Sequence, residues 1–160
     1  MSWRAGLLWA HVLAGVLWTA LWGTFFLALV VSGQSPAERR RLSARAAGPI
    51  NALGGAAALV VLVTGTGNLV ALARGGWQFL SGGFLLVLGA KLVVFAAMVV
   101  VLHLVWAAGR GGWAASADDS GSGVEHQFSR MVVLYGVGAG LGALALGLGL
   151  WLLGTVGGAG

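Results

Sequence analysis

Apolar residues in this chain gather into four long runs, at about residues 6–31, 49–72, 82–108 and 131–156, with short polar stretches between them. Each run meets or exceeds the ~20 residues that a helix needs to cross ~30 Å of hydrocarbon. The pattern predicts an all-α fold, an integral membrane four-helix bundle that forms one transmembrane domain over residues 1–160. The second span is expected to open near Pro49, because proline suits the first turn of a helix, where its missing N–H is not needed. Between the third and fourth spans lies GRGGWAASADDSGSGVEHQFSR, small, polar and rich in Gly and Ser, which reads as a mobile loop over 109–130.

Composition sharpens this picture. The chain is 59% hydrophobic and 8% charged, where soluble domains carry roughly 25% charged residues. Almost no mass remains outside the membrane, which excludes a soluble catalytic domain. Arg39, Arg40, Arg41 and Arg45 cluster between the first two spans, and Arg110 and Arg130 flank the third loop, against only Arg4 and Arg74 on the other side. The positive-inside rule then puts the first and third loops in the cytoplasm and both termini on the non-cytoplasmic side of a prokaryotic cytoplasmic (inner) membrane. Trp3, Trp9, Trp77, Trp106 and Trp113 fall near span ends, as interfacial anchors do. The net charge of +5 therefore marks membrane topology, not nucleic-acid binding, since no folded platform surrounds the basic cluster. The first span is long and lacks a clear cleavage site, so it reads as a retained helix and not a signal peptide. The absence of cysteine excludes disulfides, thiolate metal sites and iron–sulfur clusters.

Three ionisable residues lie inside the spans: His11, Lys91 and His103. Each costs a few kcal/mol at membrane depth unless it is partnered or near an interface. His11 sits about five residues, roughly 8 Å, into the first span, on a face that continues through Gly15, Trp18 and Trp22. Its imidazole beside a bare glycine suits a ligand for a flat macrocycle. The alternative is an interhelical hydrogen bond to a backbone carbonyl or a threonine. Lys91 lies about nine residues, roughly 14 Å, into the third span. No Asp or Glu occurs in any span. Its partner is then a bound anion, a carbonyl cluster, a water-filled cavity or a metal, unless burial keeps the amine neutral.

Met98 shares the Lys91 face and offers a thioether, although methionine at helical spacing is the ordinary mark of core packing. His103 lies near the cytoplasmic end of the third span, turned about 120° from Lys91, and reads first as an interfacial histidine. Asn51, Thr64, Thr66 and Asn68 leave a polar trail along the second span whose spacing identifies no chemistry. Gly136/Gly140 and Gly138/Gly142 form small-xxx-small pairs that let helices approach closely or make room for a bulky planar group. Asp118, Asp119, Glu125 and His126 in the third loop read as a solvated linker. No hydrolytic constellation is present.

A histidine early in the first span, an Arg-rich loop, VLVTGTGNLV in the second span and LGAKLVVFAAMVVVLH in the third together resemble the HemJ-type protoporphyrinogen oxidases and the related CopD-like membrane proteins. The resemblance covers about residues 7–108. It implies haem b (protohaem IX), with His11 as axial iron ligand, Lys91 as a catalytic residue contacting haem or substrate, and His103 as a weaker metal-site match. Gly15, Trp18, Trp22 and Met98 complete the expected pocket. The expected function is membrane redox chemistry, in which a porphyrinogen or quinol is oxidised and electrons pass to a membrane acceptor. Two rivals stand beside it. One is a CopD-like copper-handling or transport protein using His11, Met98 and His103. The other is a non-catalytic subunit that packs against a respiratory complex or another copy of itself, in which His11 makes only a structural bond.

Overall fold

A computed structural model describes residues 3–31, 35–74, 82–115 and 121–157. They form four helices: α1 (Trp3–Val31), α2 (Pro36–Ala73), α3 (Gly82–Ala115) and α4 (Gly121–Gly157). Among the described residues, all four are long and apolar enough to cross a bilayer, over Trp3–Val31, Arg45–Ala73, Gly82–Ala108 and Phe128–Leu152. The chain is an all-α, multi-pass membrane bundle, as the hydrophobic pattern predicts.

The helix ends depart from the hydrophobic runs. α2 does not begin at Pro49. It begins at Pro36, behind a capping box in which the Ser35 hydroxyl accepts from the Glu38 N–H and the Glu38 carboxylate accepts from the Ser35 N–H at 2.9 Å. Pro49 lies inside the helix. Its ring removes one i→i−4 donor, and the orphaned carbonyl belongs to Arg45, at the very edge of the apolar span, where water can satisfy it. The arginine cluster is thus a helical extension of α2 and not a loop. The segment expected to be a loop over 109–130 is likewise helical at both ends, with α3 running to Ala115 and α4 starting at Gly121. Asp118 and Asp119 lie outside the described residues, as do Trp77 and the side chain of Trp113. Trp3, Trp9 and Trp106 are exposed near span ends.

α1 packs along both α2 and α4, and α4 also packs along α3, whereas α2 and α3 meet sparsely. Each inward face advances by steps of three and four. On α3 it runs Val87, Lys91, Val94, Met98, Val101, Val105, and on α1 it runs His11, Ala14, Trp18, Trp22, Phe25, Leu29. Both ionisable residues therefore occupy core register positions.

Aromatic rings fill the middle of the bundle. Trp18 and Trp22 stack with centroids 4.7 Å apart, Trp22 lies 5.0 Å from Tyr135, and Phe25 meets Tyr135 edge-on at 4.6 Å. The Tyr135 hydroxyl donates to Asn51 Oδ1 at 2.7 Å, so the two buried polar groups satisfy one another across α2 and α4. Glycine makes this possible. A Cβ on Gly138 would overlap Cε3 and Cζ3 of Trp22, one on Gly54 would sit 2.8 Å from Trp22 Nε1, and one on Gly142 would sit 3.1 Å from Trp18 Cδ1. The planar groups that these thin helix faces accommodate are the chain's own indoles.

Candidate functional site at the polar end of the bundle

The core changes character along its length. Toward the starts of α1 and α3 and the ends of α2 and α4, the inward positions become His11, Thr64, Lys91 and Gly149. Each lies about eight or nine residues, roughly 12–14 Å, from its helix end. His11 is deeper than the sequence suggests, because α1 starts at Trp3. The up-and-down topology gathers four residues from distant parts of the chain into one layer.

His11 is held against α2. Its Nδ1 lies 3.2 Å from the Val61 carbonyl oxygen and 3.1 Å from Thr64 Oγ1. The Thr64 hydroxyl in turn donates to the Val60 carbonyl at 2.5 Å. The ring edge rests on Gly65, where a Cβ would lie 3.1 Å from His11 Cε1. The interhelical hydrogen bond considered for His11 is therefore present. It uses one ring nitrogen and leaves Nε2 without a hydrogen bond among the described residues.

Lys91 approaches from α3. Its Nζ lies 3.0 Å from the position of a Cβ on Gly149, so the amine rests against the α4 backbone, which only glycine leaves uncovered. Lys91 lies nine residues from the start of α3 and His11 eight from the start of α1, so the two share a depth in the bundle. No acidic side chain occurs in any of the four spans to balance it. An imidazole whose Nε2 has no hydrogen bond among the described residues and an amine with no carboxylate in any span thus share one end of the core.

The other expected pocket residues are placed differently. Leu146 fills the space beside Gly15, its Cδ2 3.3 Å from where a Cβ would stand, so Gly15 serves helix packing instead of leaving a void. Trp18 is fully buried on Trp22, and Met98 packs into the same apolar cluster. The indole N–H groups of Trp18 and Trp22 are buried without hydrogen-bond partners among the described residues. His103 is exposed and sits twelve positions along α3 from Lys91, roughly 18 Å away along the axis. The structure does not bring it to His11. Among the described residues no group of three or more His, Cys, Asp or Glu side chains could hold a bare metal ion. A shallow apolar groove of about 290 Å³ runs along Leu17, Leu21 and Phe25 of α1 and Ile50 of α2, and carries no ionisable group.

Sequence reasoning left Thr64 without a role and passed over Tyr135. A signal for the second existed, because Tyr135 is the chain's sole tyrosine and sits in a span, as Asn51 does. Two buried polar groups of complementary type on different helices need each other. No signal distinguished Thr64 from Thr66, since only the rotation of α2 about its axis separates them.

No family description matches the chain, and no characterised protein or solved structure matches it either.

Proposed function

We propose that the chain is a haem b-binding redox protein of a prokaryotic cytoplasmic membrane, with its arginine-rich end cytoplasmic and both termini on the opposite side. The observation that carries this reading is the matching depth of His11 and Lys91 on the inward faces of α1 and α3, with no carboxylate in any span to neutralise the lysine. The donor set fits the group. His11 offers a ring nitrogen free of hydrogen bonds among the described residues, its orientation fixed by Val61 and Thr64 as second partners usually fix an axial histidine. Lys91 offers a cation for a propionate or an anionic substrate. The buried Trp18–Trp22 stack closes the apolar core below and excludes water from that side. When bound, haem supplies one-electron redox chemistry whose potential follows axial ligation and burial. The resemblance to HemJ-type oxidases extends the reading to a porphyrinogen as reductant and a quinone as acceptor, with Lys91 as the residue that contacts substrate.

A second reading has its own support. Leu146 already packs beside Gly15, and the His11 Nδ1 is satisfied within the bundle, as in a structural subunit that carries no cofactor. Colour separates the two. Protein purified from haem-replete cells should show a Soret band and reduced b-type bands, and His11→Ala should abolish or shift them. A colourless preparation sinks the haem reading in favour of the structural one, and stoichiometric copper without haem would instead point to a CopD-like role. If haem is present, adding protoporphyrinogen without oxygen should reduce it, and failure to do so removes the oxidase assignment.

A further inference from the structure

The contacts around His11 decide which ring nitrogen carries the proton. Two oxygens lie within reach of Nδ1: the Val61 carbonyl at 3.2 Å and Thr64 Oγ1 at 3.1 Å. A carbonyl only accepts. The Thr64 hydroxyl has one proton, and that proton is directed to the Val60 carbonyl at 2.5 Å, with Val61 a more distant acceptor at 3.4 Å. This is the back-bond that a helical threonine makes to its own preceding turn. What Thr64 turns toward His11 is then a lone pair, so Nδ1 faces two acceptors. Only an N–H at Nδ1 satisfies both. A bare Nδ1 would set its lone pair against those of two oxygens fixed to one helix, inside a bundle where an unsatisfied polar contact is costly.

We infer that Thr64, together with the Val61 carbonyl, locks neutral His11 in the Nδ1–H tautomer and so presents Nε2 as the ring's lone-pair donor. Thr64 is a positioning residue that acts through His11. Gly65 contributes by its lack of a side chain, since a Cβ there would stand 3.1 Å from Cε1 and 3.5 Å from Nδ1 and press the ring off the helix. The tautomer stands on these contacts alone. That Nε2 serves as the iron ligand rests on the haem reading.

The test uses full-length, haem-free protein labelled with ¹⁵N-histidine in lipid nanodiscs, with long-range ¹H–¹⁵N correlations reporting the proton's position while the ring is neutral. The chain has three histidines, and His11→Gln identifies the His11 signals by their loss. In the wild type, His11 is expected with Nδ1 protonated and Nε2 bare. Thr64→Val removes the hydroxyl at nearly constant shape and should lower the ratio of the two tautomers by about threefold to tenfold, the worth of one net hydrogen bond. Thr64→Ser should restore the wild-type ratio. A wild-type proton on Nε2 overturns the inference, and this measurement needs no Thr64 variant to fold. An unchanged ratio in Thr64→Val removes Thr64 from the role and leaves the carbonyl alone. Haem titration separates this inference from the function it serves. Protein with the expected tautomer that binds no haem overturns the haem reading and leaves the lock standing. Haem-binding protein with the proton on Nε2 overturns the lock and leaves the haem reading standing.

Discussion

Gly138 and Gly140 sit two residues apart on α4 and answer to different neighbours. A Cβ on Gly138 would run into the six-membered ring of Trp22, which is fully buried and stacked and has nowhere to move. A Cβ on Gly140 would meet nothing within 4 Å. Overpacking a well-filled core costs about 1–3 kcal/mol, so Gly138→Ala is expected to lower stability by that order, whereas Gly140→Ala should be neutral or mildly stabilising. Reversible SDS unfolding in mixed micelles reads both, and equal losses would show that Trp22 does not lock against α4. The glycine pairs were visible in the sequence as close-packing devices. Which pair faces a partner was not, because it depends on the rotation of α4 about its axis. Gly138 and Gly142 meet α1, Gly136 meets Phe26 and Gly140 faces outward. The same ambiguity hid Thr64 among the polar residues of the second span.

At the level of elements, the hydrophobic runs located the four membrane crossings but not the helices that contain them. α2 is 38 residues long, and its first turns carry Arg39, Arg40, Arg41 and Arg45. Hydropathy reports burial in lipid, while a helix persists into water wherever propensity and capping support it. The stretch Ser35–Pro36–Ala37–Glu38 spells a capping box and a first-turn proline, so this start was legible to a capping argument, and weighting the apolar pattern concealed it. Removing the cap should matter locally. Ser35→Ala is expected to cost about 1 kcal/mol of helix stability, seen as faster amide exchange over residues 36–44 with the membrane-embedded part of α2 unchanged. Uniform loss of protection throughout α2 would mean that the extension and the span fold as one unit.

For the whole molecule, topology assembles the site. Successive helices run up and down, so residues eight or nine positions from four different helix ends meet in one layer. The side of the membrane proposed for this end rests on loop charge, and the absence of cysteine makes it easy to probe. With single cysteines introduced as Arg41→Cys and Gly82→Cys, an impermeant maleimide added to intact spheroplasts should label Gly82→Cys. Arg41→Cys should react only after the membrane is opened. The reverse pattern would invert the proposed orientation and place the His11–Lys91 layer toward the cytoplasm.

The sequence by itself determined that this is a four-span membrane protein, that its core holds few ionisable groups, and that Lys91 has no carboxylate partner in the membrane. These follow from composition and run length, which lipid as a solvent makes decisive. Only the tertiary structure decided that His11 bonds Val61 and Thr64, that Lys91 rests on the bare backbone at Gly149, that Trp18, Trp22 and Tyr135 fill the middle of the bundle, and that His103 stands apart. Those facts depend on each helix's rotation and depth relative to its neighbours. A one-dimensional pattern leaves both undetermined, because side-chain packing and the pairing of buried polar groups select them together.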